Sequence, residues 1–358
     1  MASDQAWPTF RATAARTGHR PNRHAPDAPI TCQWVTETVE GTGRSVGQIS
    51  PVVTDGTVYF ATDTGHVRAL DAKTGEEVWS FETDGCVFGS PAPTIAGETL
   101  FVGGGVLYAR DAATGEGLWR TETSGLSSSP AVTGGRVVVQ GERTVGFDAA
   151  TGAEEWSVGV DGHAGSAPAV AGETVVVGGD DGRIHALDAG NGTERWVVET
   201  GGDVRSTPAI ADGRVHVGSQ DGHLYSVGVA TGAVQWRTEL GDEVVASPAV
   251  ANGTVVVGSA GFSDDNNRVY AVDADSGDVV WTFGDTMASI RSSPAVVGDT
   301  VLVGYDGHLF ALDATTGQER WSVTLRGTTV SSPVVADGTV FVESNGQYLY
   351  ALEADPGE

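Results

Sequence analysis

The eleven-residue stretch ALDAKTGEEVW at positions 69–79 decides the fold, because variants of it recur along the chain. The shared pattern is Ala-x-Asp-x-x-Thr-Gly-x-x-x-Trp, and it ends at Trp79, Trp119, Trp156, Trp196, Trp236, Trp281 and Trp321. Successive tryptophans are 40, 37, 40, 40, 45 and 40 residues apart. A fixed period near 40 residues is typical of a repeat architecture. The sequence therefore predicts one array of similar units.

Each repeat has the composition of four short strands. In the first repeat, an apolar run at 51–53 precedes an Asp-Gly turn, and a β-branched and aromatic run follows at 58–61. Residues 66–71 alternate polar and apolar side chains, and a Thr-Gly turn leads to a fourth run at 77–81. Four antiparallel strands in about forty residues make one blade of a β-propeller.

The number of blades follows from the prolines that begin the first strands. There are eight of them: Pro51, Pro91, Pro130, Pro168, Pro208, Pro248, Pro294 and Pro333. The last repeat stops before its tryptophan strand, and residues 30–35 (ITCQWV) supply a replacement that contains Trp34. We predict an all-β, eight-bladed propeller at 30–358, closed by this N-terminal strand, with an arm at 1–29. Closure removes exposed sheet edges.

The signature side chains have structural explanations. The alanine lets the next blade approach closely, and the aspartate accepts hydrogen bonds from the amides of the Thr-Gly turn. Each tryptophan offers a large apolar area and a ring N–H that suit docking between two blades. The predicted docking residues are Trp34, Trp79, Trp119, Trp156, Trp196, Trp236, Trp281 and Trp321.

The chain is strongly acidic, with a net charge of −27, and Lys73 is its single lysine. The carboxylates are spread over every repeat, which disfavours one acidic patch for a basic partner. Acidic, lysine-poor surfaces hold water and cations and resist self-association in high salt. We interpret the surface as halophilic and expect a halophilic archaeon as the source. A pI near 4.4 disfavours nucleic acid as a partner.

The two cysteines, Cys32 and Cys86, form neither a disulfide framework nor a CxxC metal pair. The sequence contains no apolar run of 18 residues, so no membrane span is predicted. Residues 1–5 lack the pattern of a secretory leader. We expect a cytoplasmic location for the sequence as it stands, and an exported or cell-surface location if a leader was removed.

The signature resembles the tryptophan-docking motif of the pyrroloquinoline-quinone (PQQ) repeat family, and the resemblance extends from about residue 30 to the C-terminus. That family consists of eight-bladed propellers. It includes quinoprotein alcohol dehydrogenases and non-enzymatic relatives such as the propeller of the outer-membrane barrel-assembly machine. The dehydrogenases also carry a vicinal Cys-Cys pair and a calcium site, and this chain has no Cys-Cys pair. The resemblance therefore favours the non-enzymatic branch, without a cofactor, over a dehydrogenase with PQQ and calcium.

Ligand-binding residues are expected where the repeats differ, at the loops that lead into the innermost strands. Three residues before the first-strand prolines stand Gln48, Phe88, Arg205 and Arg291, which suit an anionic or aromatic group in an axial funnel. The alternative is that the two arginines neutralise carboxylates such as Asp203 or Asp285.

Three other groups of residues are candidates for metal or partner sites. Residues 264–267 (DDNN) and 180–182 (DDG) are oxygen-rich, as calcium requires, but their spacing favours acidic surface turns. His66, His223 and His308 follow turn glycines in separate blades and are interpreted as solvated hairpin residues. The basic stretch 10–24 is expected to lie across the acidic propeller, anchored by Trp7 and Phe10; the alternative is recruitment of an acidic partner.

These observations predict a non-catalytic scaffold that binds a protein, a peptide or a small ligand through its axial face. The alternative is a PQQ- or metal-dependent oxidoreductase, and a third reading is an accessory sensor or assembly subunit. No catalytic residues are assigned, because acidic residues are too numerous to be diagnostic.

Overall fold

The computed structural model describes residues 12–13, 17–20, 25–27, 29–38, 50–62, 64–84, 92–123, 125, 128–160, 166–261, 267–286, 288–327, 331–344 and 348–355. These residues form thirty-three strands and no helix. All but one of the strands belong to eight four-stranded antiparallel sheets, and a short additional strand joins one of the sheets. The predicted eight-bladed, all-β propeller is confirmed.

The strands are as follows, in chain order. Before blade one lie β1 (His19–Arg20) and β2 (Ile30–Glu37). Blade one has β3 (Val52–Thr54), β4 (Thr57–Ala61), β5 (His66–Asp71) and β6 (Glu77–Glu82); blade two has β7 (Thr94–Ala96), β8 (Thr99–Val102), β9 (Val106–Asp111) and β10 (Gly117–Glu122). Blade three has β11 (Ala131–Thr133), β12 (Arg136–Gln140), β13 (Thr144–Asp148) and β14 (Glu154–Val158); blade four has β15 (Ala169–Ala171), β16 (Thr174–Gly178), β17 (Arg183–Asp188) and β18 (Glu194–Glu199).

The second half of the ring repeats the same pattern. Blade five has β19 (Ala209–Ala211), β20 (Arg214–Gly218), β21 (His223–Gly228) and β22 (Val234–Glu239); blade six has β23 (Ala249–Ala251), β24 (Thr254–Gly258), β25 (Asn267–Asp273) and β26 (Val279–Thr286). Blade seven has β27 (Ala295–Val297), β28 (Thr300–Tyr305), β29 (His308–Asp313) and β30 (Glu319–Thr324); blade eight has β31 (Val334–Ala336), β32 (Thr339–Ser344) and β33 (Tyr348–Ala354).

Blade eight is assembled from both ends of the chain. Strand β2 pairs antiparallel with β33, from Ile30 opposite Ala354 to Glu37 opposite Tyr348. Trp34 lies in this pairing, opposite Ala351, where the other blades also place a tryptophan opposite the residue in the signature's alanine position. The predicted closure of the ring by the N-terminal strand is confirmed.

The core lies between neighbouring blades. The valine-rich second strands are almost entirely buried, since β-branched side chains pack well on both faces of an inner strand. One cluster joins blades seven, eight and one through Leu302, Phe341 and Phe60. The apolar surface of each blade is thus buried against its neighbours on both sides, and the core forms a continuous ring.

The tryptophans connect successive blades at the rim. The indole N–H of Trp79 donates to the backbone oxygen of Ala112 in the next blade at 3.0 Å, and Trp34 donates to Ala72 at 3.0 Å across the closing seam. Gly75 explains the glycine of the signature: its φ is +72°, and an added Cβ would lie 2.7 Å from the Trp34 ring. The same glycine packs against the preceding blade's tryptophan at positions 115, 152, 192, 232, 277 and 317.

The signature aspartate holds the turn before the fourth strand. Asp71 Oδ1 accepts hydrogen bonds from the amide of Thr74 at 2.8 Å and from the amide of Lys73 at 3.0 Å. The Thr74 amide bond, above all, holds the pKa of Asp71 below its ordinary value. The repeated aspartates are therefore structural.

Part of the N-terminal arm lies along the inner edges of blades six and seven. Strand β1 pairs parallel with β27, and the amide of Val296 donates to the carbonyl of Gly18 at 2.8 Å. The amide of Val250, in the inner strand of blade six, donates to the carbonyl of Thr17 at 2.8 Å. The arm thus adds a strand to the axial side of the ring. The expected anchors Trp7 and Phe10 lie outside the described residues.

Candidate functional site

The candidate site is the axial face, defined here as the loops that lead into the eight innermost strands together with the channel-facing edges of those strands. In blades four to seven, the residue directly before the first-strand proline donates its amide hydrogen to a hydroxyl of the next blade. The amide of Ala167 donates to Thr207 Oγ1 at 2.9 Å, that of Thr207 to Ser247 Oγ at 3.0 Å, and that of Ser247 to Ser293 Oγ at 3.0 Å. The amide of Ser293 continues the series to Ser332 Oγ at 3.1 Å. This belt of hydroxyls ties blades four to eight together near the axis.

A second set of hydroxyls, two residues before the proline, bonds within its own blade in blades three, five, seven and eight. Ser206 Oγ accepts from the amide of Gly218 at 3.2 Å, and Ser331 Oγ accepts from the amide of Glu343 at 2.7 Å. Both serines are completely buried. These serines satisfy amides at the ends of the second strands and are not free nucleophiles.

Arg205, a predicted ligand-binding residue, is held by carboxylates. Its Nη2 lies 3.0 Å from Asp203 Oδ2, and its Nε lies 3.6 Å from Asp180 Oδ1. The side chain is about one third exposed, at 34%. The pair with Asp203 agrees with the alternative that Arg205 neutralises a nearby carboxylate, and Asp180 belongs to the acidic turn at 180–182. The structure thus joins two candidate groups into one ion-pair cluster between blades four and five.

The other predicted axial residues are separate from this cluster. Arg291 is exposed in the loop that leads into blade seven, with Val245 at the equivalent position of blade six between it and Arg205. Gln48 and Phe88 lie outside the described residues. The prediction that Pro91 begins the first strand of blade two is wrong, because this strand begins directly after Pro93, so Phe88 is five residues before that proline and not three. The two described candidates therefore stand two blades apart on the same face and do not converge on one contact point.

The three turn histidines bond within their own surroundings. His223 Nδ1 lies 3.0 Å from the carbonyl of Asp221, and His308 Nδ1 lies 2.7 Å from the carbonyl of Asp306. His66 Nε2 is 3.3 Å from Glu82 Oε1, in a cavity of about 440 Å³ between β2 and blade one. They are in three separate blades, and no group of three or more metal-ligating side chains occurs among the described residues.

Asp221 connects blades four and five beneath the loops. Burial alone would raise the pKa of this carboxyl, but bonds from the Tyr225 hydroxyl at 2.5 Å and the Gly201 amide at 2.7 Å outweigh it and lower the pKa. The carboxylate therefore stays ionised and holds the loop that leads to Arg205. Of the acidic insertion at 264–267, only Asn267 is described, and it is buried against Gly261.

Two buried polar side chains were missed by sequence reasoning. Gln140 and Glu343 are completely buried at the end of the second strand, where blades four to seven have glycine. Gln140 Nε2 donates to the carbonyl of Gly178 at 2.6 Å, and Thr38 Oγ1 lies 3.5 Å from Glu343 Oε1. The sequence does indicate both residues, because each of them stands where the repeat otherwise has glycine in blades four to seven.

The channel itself is lined by backbone groups. In an inner strand, the middle residue points its N–H away from the second strand, because opposite residues alternate between bonded and non-bonded pairs. Val250 and Val296 are the middle residues of blades six and seven, and the arm binds both amides. The equivalent residues of the other blades are Val53, Ile95, Val132, Val170, Ile210 and Val335. No described backbone carbonyl outside their own blades accepts from those six amides.

The comparisons with known proteins agree with this architecture. The family model PQQ_2, described as outer membrane protein assembly factor BamB, matches residues 11–123, 103–207, 181–307 and 265–358. These segments overlap and together extend over nearly the whole chain. The chain belongs to this family. The resemblance stated from the tryptophan signature is thereby confirmed at the level of the family and the propeller.

Individual relatives are more distant. Outer membrane protein assembly factor BamB of Escherichia coli strain K12 is 37% identical over 81 residues, which cover 22% of this chain and 20% of that protein. The chain thus spans about a fifth of the length of the curated relatives it matches.

Solved structures show the same fold. BamB from Moraxella catarrhalis has a TM-score of 0.75 at 24% identity and covers 92% of this chain and 99% of that one. A europium-containing methanol dehydrogenase has a TM-score of 0.82 at 15% identity, with 98% of each chain covered. Identities this low show the shared fold alone. In the described part of the chain, no helix is long and apolar enough to cross a membrane.

Proposed function

We propose that this protein is a non-catalytic scaffold whose axial face binds a protein or peptide partner. The proposal rests on the loops that lead into the innermost strands, because some positions in these loops hold the blades together and another position varies. The two residues before the prolines are used in hydrogen bonds that hold the blades, as Ser206 and Thr207 show. The third residue varies, and Arg291 at this position is exposed. Variation on a fixed framework is typical of a recognition surface.

Membership of a family described as an assembly factor supports a protein as the partner. The ion pairs of Arg205 with Asp203 and Asp180 present a fixed arrangement of charge, and Arg291 is an exposed residue two blades away. Charges at an interface contribute mainly to specificity and to the rate of association. A partner with carboxylates facing Arg291 fits this surface.

The alternative, a PQQ- or metal-dependent oxidoreductase, is less well supported by the residues present. The Cys-Cys pair that the resemblance associates with the quinone is absent from the sequence. Cys32 lies on the outermost strand of blade eight, where its Sγ is 3.3 Å from the carbonyl of Trp34, away from the axis. We therefore propose that the scaffold works without PQQ or calcium. The description of its family favours an exported location over a cytoplasmic one.

The test compares two charge reversals at opposite ends of the propeller. A partner is first identified by crosslinking to the full chain and purified, and its affinity is then measured for Arg291→Glu and for Lys73→Glu. Lys73 is exposed in the Thr-Gly turn of blade one, so the second variant is a matched control for the change in charge. We expect Arg291→Glu to weaken binding about tenfold, which is ~1.4 kcal/mol. Lys73→Glu should change the affinity less than twofold.

Equal effects of the two variants would place the interface away from the axial face. The enzymatic alternative is tested by titrating the full chain with PQQ and calcium in high salt, followed by a dye-linked dehydrogenase assay. Stoichiometric quinone binding with substrate-dependent dye reduction would overturn the scaffold proposal. A titration without saturable binding supports it.

A further inference from the structure

The arm strand in the channel is held by main-chain bonds. Three propeller amides, those of Val250, Val296 and Gly298, donate to arm carbonyls at 2.8, 2.8 and 3.1 Å. The acceptors are the carbonyls of Thr17, Gly18 and Arg20. Main-chain pairing recognises an extended backbone and leaves the side-chain sequence largely unrestricted.

The arm also packs on the propeller through Ala12 and Ala25, which are buried in the cluster that joins blades seven, eight and one. His19 is partly buried, and its Nε2 has no hydrogen-bond partner in the described part of the chain. Arg20 Nη2 donates back to the arm itself, at the carbonyl of Ala12, 3.0 Å away. Backbone hydrogen bonds, each with a net value of about 1 kcal/mol, thus set the register of β1 on β27.

One position of the arm, Gly18, requires a residue that tolerates positive φ. Gly18 has a φ of +62°, in the left-handed region that β-branched residues avoid. This residue also provides the carbonyl for Val296. The site thus accepts an extended segment with glycine, or a residue that tolerates positive φ, next to the paired residues.

We propose that the inner edges of blades six and seven form a strand-addition site that the arm fills in the isolated protein. An extended segment of the partner protein, with glycine at the position of Gly18, takes the site when the arm leaves it. The inference rests on the proposed scaffold function and specifies how the axial face would bind its partner. Six further inner strands present equivalent amides to the channel, so the same geometry extends around the axis.

The experiment loosens the arm in the full chain without touching the propeller. Gly18→Val places a β-branched residue at positive φ, whereas Gly18→Asn keeps a residue that tolerates this conformation. The probe is a fluorescein-labelled peptide of residues 14–23 (AARTGHRPNR), and the control peptide carries valine in place of its glycine. Fluorescence anisotropy gives the affinity, and hydrogen exchange reports on the amides of Val250 and Val296. Tryptophan fluorescence verifies that both variants are folded.

We expect the probe to bind Gly18→Val at least tenfold more tightly than the wild type or Gly18→Asn. The two amides should exchange faster in Gly18→Val and regain protection when the probe is added. The control peptide should not bind. These results would support the proposal that an extended segment replaces the arm strand at the inner edges of blades six and seven.

Three outcomes would overturn the proposal. The amides of Val250 and Val296 could stay fully protected in Gly18→Val, which would make the arm a permanent part of the fold. They could lose protection without regaining it on addition of the probe, which would mean that the edge does not accept a strand. Light scattering could show a dimer that exchanges arms, which would make a second copy the occupant. Because Arg291→Glu is measured separately, any of these results leaves the scaffold function testable by itself.

Discussion

Two neighbouring junctions of the ring are built differently. Between blades six and seven, Trp281 donates to the carbonyl of Ala314 at 3.0 Å, the residue that follows the signature aspartate of the next blade. Between blades seven and eight, Trp321 donates to the carbonyl of Pro26 at 2.8 Å, in the N-terminal arm. The residue that corresponds to Ala314 is Ala354, which instead pairs with Ile30 of β2.

The junction between blades seven and eight therefore departs from the repeat, at the place where the N-terminal and C-terminal parts of the chain meet. Six junctions within the chain join residues 30 to 38 positions apart, whereas the bond of Trp321 spans 295. A long-range contact costs more chain entropy to form than a local one, although the cost rises slowly with length. The last junction therefore depends on the arm being in place, and the ordinary junctions do not.

The largest expected effect comes from salt. Most of the 47 carboxylates repel one another when screening is weak, and the screening length falls from about 10 Å at 0.1 M salt to 3 Å at 1 M. We expect the protein to unfold in low salt and to be stable in molar KCl, with hydrogen exchange rising first in the arm and β2. Equal stability in both conditions would contradict the halophilic interpretation of the charge. Simultaneous exchange in all blades would remove the distinction between the junctions.

The second prediction compares the loss of stability on replacing two tryptophans that are buried to nearly the same extent. Trp321 and Trp281 are 7% and 8% exposed, and replacing either by alanine should lower the free energy of unfolding by about 3–5 kcal/mol. Trp321→Ala should also release the arm, seen as faster exchange at the amide of Val296, whereas Trp281→Ala should not. Denaturant unfolding in high salt measures the first quantity. Equal exchange in the two variants would show that the arm does not depend on the Trp321 junction.

The smallest effect concerns the signature turn that blade eight lacks. A hydrogen bond from Arg320, followed by bonds from the Thr316 turn, lowers the pKa of Asp313 to about 2. Its folded pKa is below the ordinary value, so its stabilisation is present above about pH 4 and is lost as the pH falls through 2. Asp313→Asn should therefore cost about 0.5–1 kcal/mol at pH 7 and distinctly less at pH 2. Glu353→Gln in blade eight is the control, and unfolding curves against pH give both.

The sequence predicted the ring well because its signature encodes packing directly. The signature has a tryptophan and a glycine because the indole ring of one blade packs on a glycine with positive φ in the next blade. The last repeat lacks its fourth strand, and residues 30–35 were predicted to replace it. The partner of Trp321 was not predictable in this way. Pro26 is outside the repeat, so no periodic signal connects it with a tryptophan 295 residues away.

The axial site was predicted less completely for a related reason. The three-before-proline rule located Arg205 and Arg291 in loops that lead into innermost strands, but it could not show that Arg205 is paired with both Asp203 and Asp180. The amides that bind the arm belong to Val250 and Val296, and a backbone donor has no signature in side-chain sequence. A binding site formed by backbone amides can be located only when the structure shows which strand edges are accessible.

The shared construction of blade eight has a consequence for biosynthesis. Strand β2 leaves the ribosome before every blade, yet the one described strand that pairs with it is β33, roughly 300 residues later. At about 5–20 residues per second, translation leaves this segment without that partner for roughly 15–60 s. During that time Trp34 is without Phe341, whose ring centroid lies 5.9 Å from that of Trp34 in the folded propeller. The first piece of the propeller to be synthesised is the last to be paired, so nascent chains have the greatest need of chaperones at their beginning.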